Sequence, residues 1–142
     1  MATQELTNVI VRPAVDADIP RLIVFIRPFV EDRKLLPRTY EELNELLAHF
    51  FIAEMDGRIV GCAALEIYSW KLAEIRSLAV APDTQGMGIG KKLVEACLDR
   101  AHQKRVLEVM AITSSDRFFL NCGFDYTLPG EKRALFYQTR DL

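Results

Sequence analysis

"VAPDTQGMGIGKKLVEACLDRA", residues 80–101, decides how this chain is read. It places Gly86, Gly88 and Gly90 within five residues, then Lys91 and Lys92, then a helical pattern with Leu93, Val94, Cys97, Leu98 and Ala101 on one face. Glycine admits positive φ and lets successive backbone N–H groups approach one anion with no Cβ in the way. The first turn of a helix leaves its amides unpaired, and the macrodipole favours negative charge there. Lysines oppose that dipole, so their position makes sense beside a phosphate-bearing ligand. The competing reading is a glycine-rich turn with solvated lysines.

Spacing separates the known phosphate loops. A P-loop needs G-x-x-x-x-G-K-[ST], but Gly86 and Gly90 are too close and Lys92 stands at the Ser/Thr position. A dinucleotide fingerprint needs G-x-G-x-x-G, and after Gly86 and Gly88 its third glycine falls on Lys91. That motif also belongs to a first βα turn, whereas this one follows several strands. What remains is Q/R-x-x-G-x-G/A, carried by Gln85, Gly88 and Gly90.

Upstream, "VIVRPA" (residues 9–14) reads as a strand, and Asp16 or Asp18 as the cap of a helix with Ile19, Leu22, Ile23, Ile26 and Phe29 on its apolar face. Thr39 and Glu42 form a capping box that opens a helix to about Phe50. "FFIAEMDGRIVGCAALEIY" is two apolar runs joined by Asp56-Gly57, a hairpin with a primed turn. A strand over residues 73–80 ends before Pro82, and the glycine-loop helix spans about residues 88–104. Beyond it come a strand at 106–113 and a short helix in "SSDRFFLNCGF", capped by Ser114 or Ser115 and ended by Gly123. Strand candidates follow at 124–127 and 134–139. This alternation predicts a mixed sheet covered by helices, in the α/β (α+β) class.

The chain has 142 residues, half of them apolar, and a net charge of -2, which fits one soluble domain and gives no reason to expect nucleic acid or a membrane as partner. Neither a signal-like start nor a membrane-length apolar stretch is present in this sequence. Cys62, Cys97 and Cys122 show no C-x-x-C spacing, and His49 and His102 lie far apart. Disulfides and a metal site are therefore not expected, and a reducing, cytoplasmic setting is.

The loop and its strand, "SLAVAPDTQGMGIGKKLVE", resemble the GCN5-related N-acetyltransferases, and the similarity runs over nearly the whole chain. The resemblance implies one GNAT domain over residues 1–142, with a mixed, mostly antiparallel twisted sheet of six to seven strands flanked by about four helices. It implies acetyl-CoA as cofactor, its pyrophosphate held by the segment Gln85, Gly86, Met87, Gly88, Ile89, Gly90 and Lys91. The backbone of Leu78, Ala79 and Val80 would pair with the pantetheine arm like an added strand. The Val80 amide would polarise the thioester carbonyl and hold the oxyanion.

Acetyl transfer also needs a free amine, and an aliphatic ammonium with pKa near 10 is about one part in a thousand deprotonated at pH 7. Glu74 is the candidate base, because it lies on the strand of Leu78 and Val80 with their side-chain parity. Its alternative is a solvated or ion-paired strand carboxylate. Many members of the family carry a Tyr as proton donor where this chain has Phe119 in "RFFLNCGF"; Tyr126 and Tyr137 lie elsewhere. The hydroxyls of Thr113, Ser114 and Ser115 are nearer, the two serines serving more naturally as caps. Cys122 reads better as a buried cysteine than as a nucleophile.

"LLPRTYEEL", "GRIVGCAALEIY", "LAEIRSLAVAP" and "SSDRFFLNCGF" together look like the N-acetylglutamate synthase branch of the family, down to the "EKRALFYQTR" tail. That implies a small amino-acid acceptor, glutamate, bound by Arg38 and Arg140, with Glu74 as base and Thr113 near the proposed acid. Arginine forks suit carboxylates, and Arg76, sharing parity with Glu74, either adds a contact or neutralises Glu74. A chain of 142 residues leaves no room for the amino-acid-kinase domain of the long synthases. Other readings are a transferase for another small amine or a protein, or a non-catalytic acyl-CoA sensor. A homodimer is possible on sequence grounds.

Overall fold

Asp56 and Gly57 both take positive φ, 53° and 77°, and fold β2 (Phe50–Met55) back onto β3 (Arg58–Ser69). This is the primed turn predicted for the pair, whose twist matches that of the flanking strands. Strand β1 (Val9–Pro13) lies on the far side of β2, β4 (Leu72–Val80) on the far side of β3, and β5 (Glu108–Met110) on the far side of β4. The strand order is therefore β1-β2-β3-β4-β5, antiparallel except for the parallel β4–β5 pair. These coordinates are a computed structural model, which describes residues 8–126 and 134–140. By contact density the chain divides into two compact units, residues 1–112 and 113–142.

In the first unit, helix α1 (Ile19–Glu31) buries Ile19, Leu22 and Ile26, three of the positions its periodicity predicts. They join Phe50, Ile52, Cys62, Ala64 and Ala79 on one face of the sheet, together with Leu43 of α2 (Tyr40–Leu46). Helix α3 (Ile89–Gln103) covers the opposite face, where the Arg100 guanidinium lies over the Phe51 ring and Leu93 and Ile89 pack against Gly61. A Cβ on Gly61 would come within 2.9 Å of Leu93 Cδ1 and 3.2 Å of the Ala79 carbonyl, so a glycine there lets helix and sheet close up.

The Thr39–Glu42 capping box forms as its spacing requires: Thr39 Oγ1 accepts from the Glu42 amide and Glu42 Oε1 from the Thr39 amide, each at 3.1 Å. The α-helix it opens stops at Leu46, short of Phe50, and a 3₁₀ turn over Leu47–His49 completes the connection. Asp18 stands at the N-cap of α1 but makes no side-chain cap bond. Its carboxylate is instead enclosed by Arg12 at 2.8 and 2.9 Å, the Val15 amide at 2.7 Å and Arg21 at 3.0 Å. Hydrogen bonding from Arg12 comes first among the causes that hold its carboxyl well below the usual range.

The six to seven strands implied by the resemblance are five among the described residues. The ladder predicted over 106–113 covers only Glu108–Met110, which pair with Leu72, Ala73 and Glu74 of β4. Residues 124–126 and 134–139 form no ladder, and Leu135, Phe136 and Tyr137 stand exposed; Thr127 lies outside the described residues. Their alternation suits a strand, but a strand exists only against a partner. The second unit contains α4 (Asp116–Asn121), ended by Gly123 at φ 98° as expected. Ser115 takes the N-cap position without a side-chain cap bond; the hydroxyl engaged there is that of Thr113, which accepts from the Ser115 amide at 2.8 Å.

Candidate active site

Residues 81–88 join β4 to α3. Pro82–Thr84 make one 3₁₀ turn, fixed by the buried Thr84 hydroxyl donating to the Ala81 carbonyl at 3.0 Å. Gly86 (φ 86°) and Gly88 (φ 81°) then take left-handed conformations that other residues adopt only with strain. Gly88 is the N-cap of α3, and the Lys92 amide donates to its carbonyl at 3.1 Å. The amides of Ile89, Gly90 and Lys91 thus belong to the turn that has no acceptors within the helix. The first turn carries no acidic side chain, and a Cβ on Gly86 would meet nothing within 4 Å. An open, amide-lined bend with Lys91 beside it fits a diphosphate. Not every predicted side chain faces outward: Ile89 is buried in the core, and Met87 is half-buried. The Gln85 side-chain amide donates to the Val80 carbonyl at 3.3 Å, tying loop to strand.

The strand before the loop is open along one edge. Because β5 pairs with β4 only as far as Glu74, residues 75–80 have no ladder partner on that side among the described residues. The Ala81 amide donates to the Val60 carbonyl at 2.8 Å, toward β3. Alternation along a strand then directs the Val80 N–H to the open edge, the requirement for an added strand or an oxyanion contact. Opposite Ala63, β4 carries an extra residue, and Ser77 takes φ 55° in this bulge.

Below the bulge lies a charged cluster on the α1 face. Glu74 pairs directly with Glu66 of β3, and both reach toward the same side. Two carboxylates so placed repel. Their neighbours offset this: Arg38 Nη1 donates to Glu66 Oε1 at 3.0 Å, and Arg76 Nη1 to Glu66 Oε2 at 3.1 Å. Burial works against the ionised form of Glu66, but Arg38 and then Arg76 outweigh it and hold the carboxyl below its usual range. The Tyr68 hydroxyl lies 2.6 Å from Glu74 Oε1 and 3.1 Å from Glu66 Oε2. With one proton to give, it serves Glu74 at the shorter distance. Burial, then the Glu74 bond, pushes the phenol up to about 12. Glu74 itself is only 8% exposed.

Arg38, Arg76 and Glu74, read separately from the sequence, are thus gathered in one cluster. Arg76 bonds Glu66 directly, and Glu74 adds to the negative charge around it. The Arg38 side chain is 6% exposed, and its Nε donates to Ser77 Oγ at 3.2 Å. Beside it, an apolar cavity of about 150 Å³ is lined by Ile23, Ile26, Val30, Pro37 and Leu43, with Arg27 and Arg38. Thr113, Phe119 and Arg140 belong to the second unit. There Phe119 packs edge-on against Phe118 and Phe124, at centroid distances of 5.1 and 5.2 Å, and Arg140 is exposed.

Sequence reasoning missed Glu66, Tyr68 and Ser77. The one available signal was a glutamate inside the otherwise apolar run "GCAALEIY". Neither buried cysteine offers a nucleophile. Burial pushes the thiols of Cys62 and Cys97 up to about 12, and the Cys62 thiol donates to the Ser77 carbonyl at 3.2 Å. Among the described residues no group of three or more His, Cys, Asp or Glu is placed to hold a metal ion. No helix among them is long and apolar enough to cross a membrane.

A helix-covered mixed sheet, with an open β4 edge leading into an amide-lined helix start, suits a ligand that joins an extended arm to a diphosphate. The sequence model of the acetyltransferase (GNAT) family matches residues 18–124, and the chain belongs to that family. An amino-acid acetyltransferase of Actinobacillus pleuropneumoniae is 36% identical over 136 residues, spanning 92% of this chain but 31% of its own length. N-acetylglutamate synthase from Neisseria gonorrhoeae, complexed with coenzyme A and N-acetyl-glutamate, superposes with a TM-score of 0.76 at 34% identity, over 87% of this chain and 30% of that one. Rv2747 from Mycobacterium tuberculosis, solved in complex with CoA, gives 0.77 at 30% identity over 88% and 76%. The chain therefore spans about a third of the two longer proteins.

Proposed function

We propose that this protein is an acetyl-CoA-dependent N-acetyltransferase acting on the α-amino group of a small amino acid, with glutamate as the acceptor. The observation that carries the reading is the pairing of a cofactor frame with an acceptor cluster: the amide-lined bend at 86–91 and open β4 edge, and Glu74, Arg38 and Arg76 on that strand or against it. Acetyl-CoA supplies an acetyl group on a thioester, and transfer joins it to the acceptor nitrogen with release of the thiol. Amides 86–91 and Lys91 hold the diphosphate, and the β4 edge from Leu78 to Val80 aligns the arm. The Val80 N–H stabilises charge on the carbonyl oxygen. Glu74, held in place by Tyr68, takes a proton from the acceptor ammonium directly or through a water. Arg38 and Arg76 present guanidinium forks to the acceptor's carboxylate. The roles of Thr113, Phe119 and Arg140 rest on the resemblance alone. Glutamate is favoured by the named likenesses to an amino-acid acetyltransferase and to N-acetylglutamate synthase.

The test is a panel of amino acids, peptides and polyamines with acetyl-CoA, following release of free thiol. Saturable turnover with glutamate supports the reading. Turnover only with peptides or polyamines moves the protein to another acceptor class, and none with any amine favours a non-catalytic acyl-CoA sensor.

A further inference from the structure

The two arginines meant for an acceptor's carboxylate already hold one. Each oxygen of Glu66 takes a bond from a different guanidinium, Oε1 from Arg38 and Oε2 from Arg76. Glu66 thus bridges the forks as a bound ligand carboxylate would. Both arginines are at least two-thirds buried, so their charges are poorly screened and strongly felt by any group between them. Nor is Glu66 the cluster's sole anion. Glu74 pairs with it across the strands, and Glu42 Oε2 approaches Arg38 Nη1 to 3.7 Å. Two guanidiniums therefore face three carboxylates before any acceptor arrives.

Resting on the acetyltransferase reading above, we propose that Glu66 is a specificity-determining residue, a resident carboxylate that shares the Arg38–Arg76 pair with the acceptor and sets how strongly the site prefers an acidic one. An incoming carboxylate must displace Glu66 or share its donors. Either route costs more for an acceptor with two carboxylates than for one whose side chain is neutral. The Ser77 bond to Arg38 Nε keeps that guanidinium in place when Glu66 is exchanged. Removing the charge of Glu66 while keeping its shape should free the pair for the ligand.

The experiment compares wild type with Glu66→Gln in two assays. Calorimetric titration with glutarate, which has no amine, reads the arginine pair without any acetyl transfer. About tenfold tighter glutarate binding is expected in the variant, with a steeper salt dependence. In parallel, the ratio of kcat/KM for glutamate to that for glutamine should rise about tenfold, with the KM for acetyl-CoA unchanged. Unchanged or weaker glutarate binding would overturn the proposal, showing Glu66 to be a buttress that the arginines need. Should glutarate bind tighter while no amino acid is turned over, Glu66 keeps this role and the acetyltransferase reading fails. If Glu66→Gln folds poorly, Glu66→Ala provides a second measurement. Added acetate should raise its Tm by refilling the gap and leave that of wild type unmoved; equal responses would count against the proposal.

Discussion

Glu74 carries the chemistry in this account, and its surroundings show why a carboxylate there is not a surface ornament. It is 8% exposed, faces Glu66 across the ladder, and accepts a 2.6 Å bond from Tyr68. Without a base, the fraction of free amine at neutral pH limits turnover. Glu74→Gln keeps the shape and the Tyr68 donor but cannot take a proton. Its kcat should fall about 10²- to 10³-fold with acetyl-CoA affinity preserved, measured by steady-state thiol release and by titration with coenzyme A. An equal loss of cofactor affinity would mean that Glu74 supports the strand instead. In the sequence Glu74 is singled out by its parity with Leu78 and Val80, and the bulge undoes that argument: Ala79, not Val80, shares the face of Glu74 and Arg76. Its partner Glu66 is not singled out there, because facing pairs depend on a β3–β4 register that shifts on either side of them.

One such shift is the bulge on β4, which lies between the acceptor cluster and the cofactor edge of the same strand. Ser77 at φ 55° is the strained point, and αL backbone costs a non-glycine residue about 1–2 kcal/mol. The Ser77 hydroxyl returns something for that strain by accepting from Arg38 at 3.2 Å. Ser77→Gly should therefore hold or raise Tm while raising the acceptor KM several-fold, and Ser77→Ala should raise KM and lower Tm. No change in acceptor KM for either variant would remove the hydroxyl from the account. A serine in a strand-like run gives no sign of positive φ, so this feature could not be read in advance. Asp56-Gly57 could, since those residue types are the ones that adopt it readily.

The junction of β1 and α1 provides a pH test. Asp18 is enclosed by Arg12, Arg21 and the Val15 amide, and its folded-state carboxyl titrates below the ordinary value. A depressed carboxyl contributes stability that is full above about pH 4 and lost as pH falls through the folded value. Asp18→Asn should cost about 2–3 kcal/mol at pH 7 and progressively less below pH 4, read by urea unfolding across that range. A pH-independent loss would show that only the hydrogen-bond geometry matters.

Across the molecule, the parts legible in sequence are those set by local chemistry: the capping box, the hairpin turn, the periodic faces of α1 and α3, and the glycine bend. The parts that escaped depend on partners far along the chain. Residues 106–113 and 134–139 have strand-like alternation, yet only Glu108–Met110 finds a ladder among the described residues. The same shortness of β5 leaves β4 open from residue 75 to 80 beside the acceptor cluster. Everything functional in this reading follows from that open edge running into the start of α3.

Amide chemical shifts under titration with coenzyme A test that claim most directly, because they report on the backbone groups invoked. The largest, saturating shifts are expected at the amides of residues 86–91 and at Val80, with the Ala81 amide, bonded to Val60, moving far less. Coenzyme A binding that leaves those amides unmoved and shifts a different surface would contradict it.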